Sequence, residues 1–313
     1  MKSKFGPFLI VIAAFLWGFD GVIRRSLFSL PSLTIVFFEH LIGLLLILPF
    51  FIPFLTSHRL SLGRKEWIAI VWVSFFSGLM GTFWFTSALS QTKFIPFSVV
   101  FLLQKLQPLF AIITANLILH EQLSKKYLKW GLLALFSAYF VTFPKGVVNF
   151  DTGSQTIVAA LMSVAAAFAW GSSTAISRYV LIHQSNTTTT SLRFLFTTGF
   201  SLVAILIFRS SFPVLTLPNQ SQFFSLSLIA FSTGLFALWI YYQGLKYTQA
   251  KISTLLELTF PLTAVFIDIF LYHSQLQLTQ YLASSVLIFA IYRLSFLNHH
   301  EIHHSNSHRS RSR

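Results

Sequence analysis

Cysteine is absent from the 313 residues. That excludes disulfides, thiol nucleophiles and cysteine metal sites, and it leaves the redox compartment unread. Charge is also scarce: 10% of residues are charged, where an ordinary soluble domain carries about 25%. There is no Walker motif, so ATP does not drive the protein directly. The apolar stretches hold no His-x-x-x-His grouping, and no nucleophile lies beside a base, so the sequence does not read as an enzyme. Gly171-Ser172-Ser173 is no nucleophile elbow, because no strand precedes it. What fills the space is apolar: 55% of the residues are hydrophobic. A soluble fold of this size would leave a sticky surface, whereas lipid solvates such side chains.

A spanning helix needs about 20 mostly apolar residues. Ten such stretches are present: Phe5–Ile23, Leu33–Leu55, Trp67–Leu89, Ile95–Leu119, Tyr127–Phe143, Ile157–Leu181, Ser191–Phe208, Phe223–Leu245, Ile252–Tyr272 and Leu278–Phe296. They are too long and too continuously apolar for barrel strands, which alternate. Helices are therefore expected throughout. Lys2 and Lys4 precede the first stretch, but Arg24 and Arg25 follow it in place of a small-residue cleavage site. It reads as a span and not as a signal peptide.

The net charge of +14 would suggest nucleic acid on a soluble chain. Its distribution argues instead for topology. With the N-terminus cytoplasmic, the outer segments hold Arg24, Arg25, Lys93, Lys145 and Arg209. Lys105 and Arg193 fall within spans, and the rest of the 22 basic residues are inside. That follows the positive-inside rule. Both termini are expected in the cytoplasm of a multi-pass protein of the cell (inner or plasma) membrane, with no nucleic-acid partner. The longest polar linker, Lys145–Thr156, divides the spans five and five.

The halves match at a fixed offset of 153: Ala13-Ala14-Phe15-Leu16-Trp17-Gly18 with Ala166-Ala167-Phe168-Ala169-Trp170-Gly171, Arg25 with Arg178, Pro108-Leu109 with Pro261-Leu262, and His120 with His273. Near Leu89 and Leu245 the relation slips by three. Five spans per half is an odd number, so the second half enters the membrane inverted. Such repeats let secondary transporters open to each side in turn. The expected fold is all-α integral membrane, ten transmembrane helices as two inverted five-helix repeats. The expected units are residues 1–146 and 147–297, followed by a disordered, His- and Arg-rich cytoplasmic tail at 298–313. Its histidines, His299-His300 and His303-His304, read as a solvated end, and no metal or other cofactor is expected.

Three features resemble the EamA-type family of the drug/metabolite transporter superfamily. They are Trp-Gly in the first span of each half, Pro-Leu in the fourth, and Leu119-His120-Glu121-Gln122-Leu123-Ser124 before an apolar span. The resemblance covers about Phe5 to Phe296 and implies export of a small metabolite, amino-acid-like or amphipathic. Relatives that import or exchange nucleotide-like metabolites share the architecture. His120 stands where the family usually has a small residue, and Ser274 where the second half would carry the glutamate.

Charges within spans usually face the bundle interior. Glu257 and Gln104 each lie four residues before a proline, which cannot bond the carbonyl four residues back. Each fourth span should thus present a bare carbonyl and a polar side chain near the midplane. Gln104, Lys105 and Glu257 are the expected substrate-binding residues, with Glu257 a possible proton carrier and a Lys105–Glu257 ion pair the structural alternative. Trp17 and Trp170 are expected to line the same cavity and stack on substrate; Trp84 and Trp239 are weaker candidates. Arg193, aligned with His40, reads as a structural partner of a carboxylate. Asp20 and Asp268 read as solvated end residues. Glu121 and Lys125, at helical spacing, read as a stabiliser of the cytoplasmic gate, and Pro108 and Pro261 as hinges. The substrate is expected to be moved by alternating access, by a monomer or homodimer in the lipid bilayer. The competing reading is a non-transporting sensor or scaffold.

Overall fold

In a computed structural model the described residues are 2–56, 62–90, 100, 103–104, 106–143, 145–147, 154–208, 215–270 and 277–311. They form helices and short connections, with no strand among them. The first half holds α1 (Lys2–Arg24), α2 (Ser32–Thr56), α3 (Arg64–Val73) running through a π-helical segment (Ser74–Gly81) into α4 (Thr82–Ser90), then α5 (Gln107–Leu119) and α6 (Lys125–Thr142). The second holds α7 (Ser154–His183), α8 (Asn186–Phe208), α9 (Gln220–Ile229) joined by a π-helical segment (Ala230–Phe236) to α10 (Ala237–Leu245), α11 (Ala250–Leu256), α12 (Thr259–Phe270) and α13 (Leu278–Arg311).

Seven of the resulting helical runs are long and apolar enough to cross a membrane: 5–27, 32–53, 64–90, 157–183, 186–208, 220–245 and 278–297. Of the other three expected spans, the ninth is broken, α11 ending at Leu256 and α12 starting at Thr259. The fifth, α6, starts on two lysines. The described part of the fourth is mainly α5. The outward faces carry exposed Phe, Leu and Ile, among them Phe50, Leu117, Leu132, Phe224 and Phe231. Lipid is the solvent that accommodates them. The chain is an all-α, multi-pass membrane protein built as two inverted five-helix repeats.

The packing is two-fold. First-half α1 rests on α10 and α12 of the second half, and second-half α7 rests on α4 and α5 of the first. Across the axis α2 meets α8 and α6 meets α13. Glycine enables the closest of these approaches. A Cβ at Gly18 would lie 2.3 Å from the Thr263 Cβ, and one at Gly171 would lie 2.4 Å from the Gln107 carbonyl. Thr263 and Phe110, whose Cβ is also against Gly171, are themselves related by 153. The glycine of each Trp-Gly pair is therefore a contact between halves, repeated by symmetry.

The prolines do more than kink the fourth spans. Pro108 sits in the first turn of α5 and Pro261 in the first turn of α12, where a missing N–H costs nothing. The expected bare carbonyl at Glu257 is corrected: it accepts from the Phe260 N–H at 3.0 Å, a tighter turn having closed the gap.

The two π-helical segments start at Ser74 and Ala230, 156 residues apart, on the slipped register of the third spans. Sequence periodicity gave no sign of them. Widened turns of this kind are frequent at functional sites, and both lie on the wall described next.

Candidate substrate cavity between the halves

A cavity of about 220 Å³ lies between the repeats. Its lining includes Trp17 and Trp170, Gln104 and Glu257, Ser77 and Thr233, and Phe85 and Tyr241. Each of these pairs is related by the repeat, at 153 or, in the third spans, at 156. The cavity therefore sits on the pseudo-two-fold axis. Trp17, Trp170, Gln104 and Glu257, expected at the site from sequence, line it, and so does Pro108, expected as a hinge. Lys105 lies outside the described residues, as do the side chains of Pro261 and Asp268.

Two aromatic pairs cross between the halves. The Trp17 and Tyr241 ring centroids are 5.0 Å apart, and those of Trp170 and Phe85 are 5.1 Å apart. The second pair is the symmetry copy of the first. Trp170 Nε1 donates to the Ser77 carbonyl at 3.1 Å, on the π-helical segment. In the third spans the cavity is lined by Phe85 and Tyr241 and not by the tryptophans. Trp84 and Trp239 are absent from the lining, and Trp239 donates outward to Thr187 at 3.1 Å.

Glu257 is held by neutral groups. Gln107 Nε2 donates to Oε2 at 2.7 Å, and the Tyr241 hydroxyl donates to Oε1 at 2.7 Å. Ser253 Oγ reaches both Tyr241 at 3.1 Å and Glu257 at 3.5 Å. No ion pair to Glu257 occurs among the described residues.

The opposite wall carries a buried ion cluster that the sequence reading did not assemble. Arg24 Nε donates to Asp20 Oδ2 at 2.6 Å, and its Nη2 donates to Asp20 Oδ1 and Glu39 Oε2, each at 3.0 Å. Thr233 of the second half donates to Asp20 Oδ1 at 2.7 Å. Asp20, expected as a solvated end residue, is only 8% exposed, and Arg24, counted as a loop cation, only 2%. Residues four apart on one helix share a face, so the helix brings Asp20 onto the cation. The signal available in sequence was that spacing, together with Glu39 placed within the next span.

Arg193 also departs from expectation, bonding hydroxyls and not a carboxylate. Its Nη1 donates to Tyr242 and its Nη2 to Ser77, each at 2.8 Å. Its Nε, the Gln104 Nε2 and the Ser173 Oγ are buried with no hydrogen-bond partner among the described residues. A buried polar atom left unmade costs about 1–3 kcal/mol, so these three groups are the hydrogen-bonding positions that the cavity wall offers.

The cytoplasmic-gate pair is corrected in part. Helix α5 ends at Leu119, and His120 adopts left-handed backbone with φ 53°, so Glu121 and Lys125 do not share a helix. Glu121 Oε1 accepts from Arg178 at 2.9 Å and from the Ala250 N–H at 2.9 Å, and Oε2 accepts from the Lys251 N–H at 3.0 Å. Arg178 Nε also donates to the Thr248 carbonyl at 2.6 Å. Lys125 is exposed. The partner of Glu121 comes from the other half, 57 residues away, which local spacing could not show.

A cavity enclosed by spanning helices, built twice over from one repeated half and set on their axis, defines a carrier of small molecules across a membrane. The chain belongs to the EamA-like transporter family, which matches it twice, over residues 4–143 and 157–296. It is 36% identical over 294 residues to a protein of Fusobacterium nucleatum subsp. nucleatum named riboflavin transporter ImpX, covering 94% of this chain and 98% of that one. A crystal structure of another protein shares the fold, with a TM-score of 0.74 at 15% identity over 93% of this chain and 98% of that one.

Proposed function

We propose that the protein carries a flat heteroaromatic metabolite, riboflavin or a close analogue, across the cell membrane by alternating access. The observation that carries this reading is the symmetric pair of aromatic contacts, Trp17 with Tyr241 and Trp170 with Phe85, on the cavity wall. Aromatic side chains hold a planar ring by stacking and edge contacts. An amino-acid-like substrate would leave these walls unfilled. The relative from Fusobacterium, 36% identical and named for riboflavin, supports a heteroaromatic substrate, nearer to the nucleotide-like alternative than to the amino-acid-like one.

In this reading Trp17 and Trp170 stack on the ring, and Gln104 and Glu257 address its polar edges. The units 1–146 and 147–297 rock about the breaks at Pro108 and Pro261. Both termini are cytoplasmic, so the Arg24 cluster closes the outer end of the cavity and Glu121–Arg178 the inner end. One chain encloses the whole cavity, so a monomer suffices. Glu257, bonded among the described residues by neutral groups, carries a proton when the carrier is coupled. A carrier of this type works in both directions, and the gradients set the net flux; export is one of the two directions the assay reads.

The test is flux of labelled riboflavin in proteoliposomes, inward and outward, with and without a pH gradient. Wild type should equilibrate riboflavin and accumulate it against its gradient when a pH gradient is imposed. Glu257→Gln should keep exchange and lose the gradient-driven accumulation. Absence of riboflavin flux with folded wild type defeats the flavin reading. Undiminished accumulation by Glu257→Gln makes that carboxylate structural.

A further inference from the structure

Positions related by the repeat line the cavity, so a difference between the two members marks a departure from symmetry. In the fourth spans the members are Gln104 and Glu257. Glu257 accepts from Gln107, Tyr241 and Ser253. Around Gln104 the corresponding donors have been removed: Tyr241 is matched by Phe85, and Ser253 by Val100. In the first spans of the halves the members are Asp20 and Ser173. Asp20 accepts from Arg24 and Thr233, while Ser173, 2% exposed, has an unpartnered hydroxyl.

The two unpartnered groups belong to adjoining elements. Ser173 lies on α7 and Gln104 just before α5, the helix that α7 packs against, and both line the cavity. Leucine would fill a similar volume at this position, and the unmade hydrogen bond of the buried Gln104 Nε2 is a standing cost. A ligand edge removes that cost. A carboxamide presents a donor and an acceptor side by side in one plane, and its complement is an N–H next to a C=O. Gln pairs with heterocycle edges in this two-point way elsewhere. Both groups are neutral, so the edge they match is neutral as well.

We infer that Gln104 and Ser173 are the specificity-determining groups of the cavity, Gln104 reading the imide or lactam edge of a flat heterocycle held against the aromatic walls and Ser173 adding a further hydrogen bond to the ligand. This rests on the flavin reading above and extends it to an atom: the ring of riboflavin ends in such an imide, an N3–H between two carbonyls.

The test is quenching of flavin fluorescence by the purified full chain in lipid nanodiscs. The ligands are riboflavin and N3-methylriboflavin, which keeps the ring and the sugar chain and loses the N–H. Wild type should prefer riboflavin about tenfold or more, the order expected when a site built for a donor meets an analogue lacking it. Gln104→Leu should weaken riboflavin binding about tenfold and bind the two ligands alike, and Ser173→Ala should weaken it severalfold. Wild type that binds riboflavin without discriminating overturns the inference and leaves the flavin reading standing. Retained discrimination by Gln104→Leu does the same. Wild type that binds neither flavin overturns both. The comparison of ligands on wild type needs no substitution, so misfolding of a variant does not remove the test.

Discussion

At the scale of residues the unusual feature is two carboxylates, Asp20 and Glu39, sharing one guanidinium inside the bundle. Taking three charges out of water is expensive, and their mutual attraction repays it only with good geometry. The bidentate Asp20 contact and the Thr233 bond provide that geometry. Removing the cation alone leaves two buried like charges without compensation. Arg24→Met should therefore lower stability by about 3–5 kcal/mol, seen as a drop in Tm by thermal shift in detergent. Asp20→Asn and Glu39→Gln added to Arg24→Met should restore most of it, since no charge is then stranded. If Arg24→Met alone leaves Tm unchanged, the cluster is not the buried contact described.

His120 offers the opposite case, a local backbone cost at the end of α5. Its φ of 53° is a conformation that costs an ordinary residue about 1–2 kcal/mol and glycine almost nothing. Its side chain is exposed. His120→Gly should raise Tm by the equivalent of about 1 kcal/mol, and a fall would show that the imidazole makes a contact.

At the scale of elements the fold was legible where it is local. Apolar length gave the spans, the 153 offset gave the repeat, and the prolines marked the breaks before α5 and α12. Other features depend on which helix faces which. Glu121 meeting Arg178 and Asp20 meeting Thr233 are contacts between halves, invisible to spacing along one chain. The π-helical segments add one residue per turn without any change in composition, so the hydrophobic pattern does not record them. Phe85 and Tyr241 correspond only on the slipped register, one residue from Trp84 and two from Trp239, so the 153 offset does not pair them. The Trp-Gly pairs were recognised as a motif, and packing supplies their reason. Gly171→Ala places a methyl 2.4 Å from a backbone carbonyl, an overpacking worth about 1–3 kcal/mol. It should lower Tm and reduce flux, and Gly18→Ala should do likewise. Gly199→Ala is the control: nothing lies within 4 Å of its Cβ, and mid-helix alanine is the better helix former by about 1 kcal/mol. Equal effects at Gly171 and Gly199 would remove the close approach from the explanation.

At the scale of the molecule the cavity is flanked by two arginine-centred clusters, each joining the halves. Arg24 with Asp20 is tied to Thr233, and Arg178 with Glu121 is tied to the start of α11. They are not symmetry copies: Arg24 and Arg178 are 154 residues apart, one off the repeat, and Arg24 itself corresponds to Ser177. A carrier that opens one end while the other stays shut must break one cluster and keep the other. The population of each open state then follows the free energy of its latch, and a ligand or mutation shifts it only through differential contacts. Weakening the inner latch with Glu121→Gln should favour the inward-open form; weakening the outer one with Thr233→Val should favour the outward-open form. The chain has no cysteine, so a single cysteine at Ser173, on the cavity wall, gives a background-free reporter. Against Ser173→Cys alone, adding Glu121→Gln should speed its reaction with a membrane-impermeant thiol reagent from the cytoplasmic face and slow it from outside. Adding Thr233→Val should do the reverse. Loss of about 1 kcal/mol from a latch shifts such an equilibrium roughly fivefold, enough to read in labelling rates. Changes of the same sign on both faces would mean general loosening of the bundle, and the two clusters would then be structural ties and not gates.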